Sequence, residues 1–340
     1  MVTMSDVAKA AGVSRATASY ALRGDPRIAP ATADKVLQAA KTLRYTANLS
    51  ARSLRSGRNG VVAVAIFELD RPYPSEMAAA VSREAARRDM QTIVQQTSNS
   101  KDDEISILRH VTNQLCDGTI FSPGNISGKE IRALIGGKPI VLLDDISVEP
   151  VFDSVDTPCE DGAQTAVAHL LDIGCRNILI AGAGPQDLNA GNPPIGVRRK
   201  RIVGCRRALE RAGIPLSAGM MVPLETWDSE SARTAAHAIA DSGRPVDGVF
   251  CMTDTIALGL IRGFADRGIR VPEDVAVIGF DGISEGECFI PSLSTIRTDL
   301  DDLARKAMGL LLKRIDDETD DAPVRLTADY ELVVRESTRR

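Results

Sequence analysis

From residue 60 onward, short apolar runs alternate along the chain with amphipathic stretches. The apolar runs have the length of strands, and the stretches between them carry apolar residues at helical spacing. This alternation is typical of βαβ units, which build parallel, doubly wound α/β sheets. The clearest predicted strands are 61–67, 92–95, 118–121, 139–143, 177–181, 246–251 and 275–280, and the clearest helices are 76–88, 105–114, 161–171, 201–212 and 255–267.

The length of this alternating region predicts two sheets rather than one. Roughly 270 residues are too many for a single core of this type, so we expect two Rossmann-like lobes. Ligands of open α/β sheets bind beyond the carboxyl ends of the strands. A cleft between the two lobes is therefore the expected ligand site.

The first sixty residues differ from the rest of the chain in charge. They contain ten Lys and Arg residues and three Asp residues, a formal charge of +7, although the whole 340-residue chain carries −5. The other 280 residues therefore carry −12. A basic segment joined to an acidic body predicts a small module that contacts a polyanion. A basic surface that is merely solvated would have the same composition, so charge alone leaves both interpretations open.

Capping residues divide the basic segment into short helices. Thr3 and Asp6 fit a capping box at the start of a first helix, which ends at a glycine. Ser14 fits the N-cap of a second helix, 15–22, and Pro30 fits the first position of a third. This spacing predicts a helix-turn-helix domain. The side chains predicted to face its core are Val7, Ala8, Ala11, Ala18, Ala21, Leu22, Val36, Leu37, Ala40 and Leu43.

The second helix of such a domain enters the major groove of DNA, with its N-terminal residues over the base edges. Arg15 can donate hydrogen bonds to guanine, and the hydroxyls near the turn can hold phosphates. The residues of this region predicted to contact DNA are Thr3, Ser14, Arg15, Ala16, Thr17, Ser19 and Tyr20.

Residues 5–22, SDVAKAAGVSRATASYAL, and residues 43–55, LRYTANLSARSLR, resemble the head of the LacI/GalR family of bacterial transcriptional regulators. The resemblance implies a hinge helix that folds on a palindromic operator, pairs with its dimer mate and inserts a leucine into the minor groove. Leu54 takes the position of that leucine, and Asn48 and Arg55 are expected to contact DNA beside it. Two departures, Ala47 in place of the usual proline and Tyr20 in place of Arg or His, affect the operator sequence rather than the binding mode.

The resemblance extends along the body, in runs such as TDTIALG at 253–259, VPEDV at 271–275 and GFD at 279–281. It implies a small all-α helix-turn-helix head followed by an α/β two-lobed body similar to periplasmic sugar-binding proteins, with two Rossmann-like parallel sheets. The chain of that fold crosses three times between the lobes, here near 157–160, 288–291 and 320–323. The expected domains are the helix-turn-helix over 1–46, the hinge helix over 47–58, an N-lobe over 60–158 and 291–320, and a C-lobe over 159–290 and 321–340.

In that family an Arg and an Asp of the second lobe hold ligand hydroxyls, and the matching motifs place them at Arg201 and Asp281. A guanidinium donates to ring and hydroxyl oxygens, and a carboxylate accepts from hydroxyls. Trp227, the only tryptophan, falls where related sugar regulators stack an aromatic ring on a pyranose, although a core anchor would leave the same pattern. Further residues expected to line the cleft are Tyr73, Asp161, Thr253 and Thr298.

These features predict a homodimeric DNA-binding repressor whose operator binding is controlled by a sugar or sugar-like effector, expected to act as an inducer. A regulator that uses a purine or another non-sugar co-repressor is one alternative. A solute-binding protein for sugar is an alternative of another class, but it would need a signal peptide and no basic head. The N-terminus has no apolar core of signal-peptide length, and no run approaches the roughly 18 apolar residues of a membrane span, so a cytoplasmic location is expected.

An enzyme is the least favoured class. The run IAGAG at 180–184 begins like a dinucleotide-binding fingerprint, but Asp187 stands where its third glycine belongs. The three histidines and six cysteines show no catalytic or metal-ligand spacing. We therefore expect no catalytic residue, no metal and no cofactor.

Overall fold

A computed structural model of the chain describes residues 2–22, 25–45, 58–110, 115–189, 196–316 and 321–340. Contacts between these residues divide the chain into two units, Met1–Asn59 and Gly60–Arg340. The first unit contains short helices around a small core, and the second contains two β-sheets covered by helices.

The first unit has the predicted helices α1 (Met4–Ala11), α2 (Arg15–Ala21) and α3 (Pro30–Thr42). Thr3 and Asp6 form the capping box that starts α1, and the Ser14 Oγ caps α2 by accepting from the Thr17 amide at 3.0 Å. The turn between the two helices is fixed by Gly12, whose left-handed backbone ends α1, and by the Ser14 cap, which satisfies an amide that α2 leaves unpaired. The buried core consists of Val7, Ala8, Ala18, Ala21, Val36 and Ala40.

The prediction that Leu37 faces this core is wrong. The Leu37 side chain is 51% exposed, whereas its neighbour Val36 is fully buried. Val36, Ala40 and Leu43 follow one another at helical spacing and together cover the contact face of α3. Leu37 lies about 100° further round the helix, beyond that face.

The second unit confirms the predicted two-lobed α/β body. Six of the described strands form the first sheet, in the order β11-β5-β4-β3-β1-β2, and every pairing in it is parallel. The strands of this sheet are β1 (Val61–Ile66), β2 (Gln91–Gln96), β3 (Gly118–Phe121), β4 (Ile140–Leu143), β5 (Asp153–Asp156) and β11 (Arg325–Thr327). The helices of this lobe are α4 (Pro72–Ala86), α5 (Lys101–Arg109), α6 (Gly128–Leu134) and α12 (Leu300–Asp316).

The second sheet has the order β12-β10-β9-β8-β6-β7 among the described strands, and only β12 runs antiparallel to its neighbour. Its strands are β6 (Ile178–Ala181), β7 (Met221–Val222), β8 (Gly248–Cys251), β9 (Ala276–Asp281), β10 (Ser294–Thr298) and β12 (Tyr330–Val333). The helices of this lobe are α7 (Cys159–Asp172), α8 (Val197–Arg211), α9 (Ser229–Asp241), α10 (Asp254–Asp266) and α11 (Glu285–Cys288).

The chain passes between the two sheets three times, and two of these crossings lie later in the sequence than expected. The first follows β5 at 157–158. The second was expected near 288–291, but β10 pairs with β9 in the second sheet, so the crossing falls at 299 between β10 and α12. The third was expected near 320–323, but β11 pairs with β5 in the first sheet, so the crossing falls at 328–329. Strand pairing thus assigns β10 to the second lobe and β11 to the first, the reverse of the predicted lobe boundaries.

Helix α12 shows why the chain returns to the first lobe. Its apolar stripe packs against β3, β4 and β5 and closes the core on that face of the sheet. The buried residues of the stripe are Leu303, Ala304, Ala307, Met308 and Leu311. Burial of this stripe needs the apolar surface of the first sheet, because the second sheet is already covered by its own helices.

Close packing of α7 on α8 gives a prediction about stability. A Cβ at Gly204 would lie 2.0 Å from the Glu160 carbonyl oxygen, a backbone atom that cannot move aside locally. Gly204→Ala should therefore lower the free energy of unfolding of the second unit by about 2 kcal/mol or more, as overpacking does. Urea unfolding followed by circular dichroism measures the change.

Gly309→Ala on α12 is the matched control for Gly204→Ala. No atom lies within 4 Å of a Cβ at Gly309, so alanine should stabilise this exposed helical position by up to about 1 kcal/mol. Equal unfolding midpoints for the two variants would contradict the packing argument.

Candidate functional site

Polar side chains from both sheets gather at the carboxyl ends of the strands. In the first lobe Asp144 follows β4 and Asp156 ends β5. In the second lobe Thr253 follows β8, Asp281 ends β9 and Thr298 ends β10. Because ligands of parallel sheets bind beyond these ends, the arrangement marks the cleft as the candidate site.

A buried ion pair forms the second lobe's wall of this cleft. Arg201 on α8 is 3% exposed and donates to the Met252 carbonyl and to the Asp281 Oδ1, the latter at 3.3 Å. The guanidinium also lies 3.7 Å from the centroid of the Phe280 ring. Burial raises the pKa of the Asp281 carboxyl, and the charge of Arg201 opposes that rise. The structure therefore brings the two predicted ligand-binding residues together.

Several buried polar atoms at this site have no hydrogen-bond partner in the described residues. They are the Tyr73 hydroxyl, the Arg201 Nε, the Thr298 Oγ1 and the Asp156 Oδ1. A buried polar atom without a partner costs free energy. Burial raises the pKa of Tyr73 well above its usual value, and the negative charges of Asp144 and Asp281 raise it further, whereas Arg201 opposes the rise. This hydroxyl of the first lobe therefore belongs to the same electrostatic environment as the ion pair of the second lobe. A polar ligand would supply the missing partners.

Among the residues that the structure describes, three polar contacts join the two lobes around the cleft. Two of them involve a charged side chain from each lobe, and the third joins a carboxylate to a serine. They are Lys200 Nζ to Asp156 Oδ2 at 2.7 Å, Arg71 Nη2 to Asp228 Oδ2 at 3.9 Å, and Ser284 Oγ to Glu76 Oε1 at 2.9 Å. Polar partners of this kind can exchange their hydrogen bonds with water when the lobes separate.

The other predicted cleft residues have different surroundings. The Trp227 indole packs on the second-lobe core and donates to the Gly182 carbonyl at 2.9 Å, and the Arg198 guanidinium lies 5.1 Å from its ring centroid. Thr253 caps α10 through its hydroxyl oxygen. Asp161 is exposed on the first turn of α7. Their contact with a ligand stays a prediction.

The structure adds cleft residues that the sequence reasoning missed. Asp144 is partly buried, and its Oδ1 accepts from both the amide and the hydroxyl of Thr157 at 2.7 Å. Burial raises the pKa of Asp144, and nearby Asp156 raises it further. Cys159 begins α7 beside Arg201, and burial raises the pKa of its thiol, so the thiol is neutral. The position of Asp144 directly after a predicted strand was the available signal.

Helix α2 presents the predicted reading face of the first unit. Arg15, Ala16 and Tyr20 are exposed on it. The Ser14 and Thr17 hydroxyls lie 2.8 Å apart and hydrogen-bond to each other. Ser19 is partly buried on the same helix, and the Thr3 hydroxyl donates to Asp6 at 2.7 Å. The predicted contacts at Asn48, Leu54 and Arg55 lie outside the described residues.

A residue that the sequence reasoning missed lies beside this face. Arg27 sits over the Tyr20 ring, with its guanidinium carbon 5.0 Å from the centroid. Asp25 holds the guanidinium through two hydrogen bonds, from Nε at 2.9 Å and from Nη2 at 2.7 Å. The three side chains form a unit that restricts the orientation of the Tyr20 ring.

The loop that resembles a dinucleotide fingerprint is filled by the protein's own groups. The Gly184 amide donates to the Asp187 carboxylate at 2.8 Å, and the Trp227 Nε1 donates to the Gly182 carbonyl oxygen.

In the described part of the chain, no three His, Cys, Asp or Glu residues are grouped so that they could bind a metal ion. None of the helices in the described ranges combines the length and apolarity needed to cross a membrane.

Two family models match this sequence. Residues 3–48 match the bacterial regulatory proteins, lacI family, and residues 167–338 match the periplasmic binding protein-like domain. The first match covers the helix-turn-helix, and the second covers most of the second lobe together with β11 and α12.

Relatives extend these matches over the whole chain. Catabolite control protein A of Priestia megaterium is 30% identical over 340 residues, which cover 99% of either chain. The HTH-type transcriptional repressor PurR of Photobacterium profundum is 29% identical and covers 100% of this chain and 99% of its own. The structure of the lac repressor dimer bound to operator and the anti-inducer ONPF superposes with a TM-score of 0.82 at 25% identity, over 99% of both chains. Identity at this level from the capping box of α1 to the last strand shows that the chain belongs to the LacI family of bacterial transcriptional regulators.

Proposed function

We propose that this protein is a homodimeric repressor that binds a palindromic operator and releases it when a neutral sugar enters the cleft. The observation that carries the proposal is the buried pair of Arg201 and Asp281, which faces polar atoms without partners at the carboxyl ends of two parallel sheets. The lac repressor, a structural relative, is described as a dimer on its operator. We propose no enzymatic activity for this protein.

The charges of the cleft favour a neutral ligand rich in hydroxyl groups. The carboxylates Asp144, Asp156 and Asp281 are matched here by the cations Lys200, Arg201 and Arg325, so a phosphorylated ligand would find no excess of positive charge among these six groups. Hydroxyl groups both donate and accept, which suits a site that offers carboxylates, a guanidinium and a phenol. Solved relatives are described in complex with cellobiose, with lactose and with ribose.

A purine is the second candidate for the effector, because relatives named PurR align over the whole chain. A planar base would stack on Tyr73 or Trp227 and would use fewer of the carboxylates as acceptors. Under this alternative the ligand would strengthen operator binding rather than weaken it.

Control of DNA binding follows from linkage between the two sites. A ligand that binds one lobe arrangement more tightly than the other must change operator affinity by the same factor that the operator changes ligand affinity. The three polar contacts between the lobes are the bonds that such a rearrangement would exchange. A sugar would favour the arrangement with the lower operator affinity.

The first test concerns the effector. Trp227 precedes Asp228, which contacts Arg71 of the first lobe, so its fluorescence should change when the contacts between the lobes change. Titration with ribose, lactose, cellobiose and a purine base such as hypoxanthine distinguishes the two ligand classes. We expect one of the sugars to change the fluorescence and to raise the melting temperature by mass action. Arg201→Met and Asp281→Asn should each abolish this response and leave operator affinity within about threefold, since both side chains are buried within the second unit.

Arg207→Met is the matched control on the same helix. Arg207 pairs with Glu160 on the outer surface, where its side chain is 48% exposed, so its loss should leave the ligand response unchanged. A response to hypoxanthine alone would replace the sugar by the purine alternative, and a sugar response that survives Arg201→Met would place the ligand elsewhere.

The second test concerns the unit of Tyr20, Arg27 and Asp25. We propose that Arg27 orients the Tyr20 ring for contact with a base, so Arg27→Ala should broaden the sequences recovered from a randomised operator library. Loss of one base contact corresponds to about 1–3 kcal/mol of discrimination. Lys35→Ala removes the same charge from the exposed side of α3 and should weaken binding without changing sequence preference. Identical recovered sequences for the wild type and Arg27→Ala would contradict this role.

The third test concerns Leu54, whose role as a minor-groove wedge remains a proposal. Leu54→Ala should reduce operator affinity by at least about tenfold, because the bent operator would lose the side chain that unstacks its central step. Sugar affinity should stay at the wild-type value. Fluorescence anisotropy with a labelled operator measures the first quantity, and Trp227 fluorescence measures the second. Unchanged operator affinity would remove the hinge assignment.

A further inference from the structure

Asp254 is a fully buried carboxylate that takes part in neither the ion pair of the cleft nor any contact between the lobes. It begins α10, and its Oδ1 accepts from the Thr295 hydroxyl at 2.6 Å. Its Oδ2 accepts from the backbone amides of Gly282 at 2.7 Å and Ile283 at 2.9 Å. Burial raises the pKa of Asp254 to about 6, and the three hydrogen bonds favour the charged form.

The segment bound by Asp254 has an unusual backbone. Asp281 has φ +124°, a conformation that residues with a Cβ rarely adopt, and Gly282 follows with φ +82°. A Cβ at Gly279 would lie 2.0 Å from the Asp254 Oδ1, so the strand end is packed tightly against the carboxylate. A residue in such a conformation persists only where its surroundings hold it there.

The two ends of this segment serve different sites. Asp281 precedes the bonded amides and pairs with Arg201 in the cleft. Ser284 follows them, and its amide and hydroxyl donate to Glu76 of the first lobe at 3.2 and 2.9 Å. Four consecutive residues therefore connect the ligand-binding carboxylate with a contact between the lobes.

We propose that Asp254 is a positioning residue that holds residues 281–284 as one rigid piece, so that ligand contact at Asp281 and the lobe contact at Ser284 change together. The proposal rests on the proposed function in that it takes the cleft as the effector site. Without the carboxylate the two amides would lose their acceptor, and a shift at Asp281 would no longer reach Ser284.

Alkylation of Cys159 tests the proposal without any ligand. This thiol is 2% exposed at the start of α7, directly after the first crossing between the lobes, and its Sγ lies 3.0 Å from the Thr157 hydroxyl. We therefore expect its reaction with N-ethylmaleimide to report opening of the lobes. The full-length protein is labelled for timed intervals and then digested, and mass spectrometry of the peptides gives the rate at Cys159 separately from that at the exposed Cys288. Ser284→Ala should raise it about fivefold, the size expected for the loss of one or two hydrogen bonds.

Asp254→Ala should raise the Cys159 rate by a similar factor, and the double variant with Ser284→Ala should be no faster than either single variant. Asp254→Asn should stay near the wild-type rate, because the amide oxygen can accept from both backbone amides while its NH₂ donates to Thr295. A merely structural role would not predict this rescue or the lack of additivity. A wild-type rate in Asp254→Ala, or effects that multiply in the double variant, would overturn the proposal.

Cys205 controls for unfolding because it is fully buried in the second-lobe core. Its alkylation should stay at the wild-type rate in every variant. If Asp254→Ala exposes Cys205, Asp254→Ser provides the same comparison, since its shorter hydroxyl cannot reach both amides and it keeps a polar group beside Thr295.

The sugar titration is run on the same variants and separates this proposal from the proposed function. If no sugar changes Trp227 fluorescence in the wild type but the alkylation pattern holds, the sugar assignment fails and the coupling through Asp254 stands. If a sugar binds the wild type and Asp254→Ala alkylates Cys159 at the wild-type rate, the function stands and the coupling is wrong.

Discussion

The guanidinium of Arg201 is buried, and a guanidinium cannot escape the cost of burial by losing its proton. Its partners must therefore come from the protein, and they come from the ends of two neighbouring strands. The Met252 carbonyl follows β8, and Phe280 and Asp281 end β9. The need to pair the buried Arg201 therefore involves the ends of β8 and β9, the same strand ends that face the cleft. A ligand that accepts a hydrogen bond from the Arg201 Nε would supply a partner that this nitrogen does not have among the described residues.

The crossings between the sheets determine how the lobes can respond to such a ligand. Strands β11 and β12 are separated by two residues but belong to different sheets, and β10 leads directly into the helix that covers the other lobe. Each lobe is therefore completed by a segment that has just left the other. Short connections of this kind allow rotation about the crossings and leave both cores intact.

The sequence predicted the parts of the fold that depend on local pattern. Apolar runs such as 118–121 and 246–251 became buried strands, and Thr3 and Ser14 became helix caps, because these signals act within a few residues. Strand β5, Asp153–Asp156, was missed because its sequence is polar. Asp153 can be buried because distant groups donate to its carboxylate: Arg314 donates two hydrogen bonds, and the Val324 amide donates a third.

The same distinction applies to the cleft. Family motifs led to Arg201 and Asp281, and the structure brings these two side chains together. The contact between Lys200 and Asp156 was not predicted because it joins two lobes whose pairing no local pattern encodes. The lobe boundaries at 291 and 320 failed for a related reason, since strand order in a sheet depends on hydrogen bonds between distant segments.

The fully buried core of the first unit consists of alanine and valine side chains, and Leu37 adds nothing to it. Such small side chains bury little apolar surface, and a domain of this size is marginal even with a larger core. Partly buried side chains such as Leu22, Ile28 and Leu43 add to this core, but it stays far smaller than the cores of the larger unit. The head is therefore expected to unfold at a lower temperature than the larger unit, so that warming leaves a share of the heads unfolded. Binding to DNA then includes the folding of that share, so the enthalpy of complex formation changes with temperature and carries a negative heat-capacity term. Operator affinity is therefore expected to fall on warming even when the effector concentration is constant.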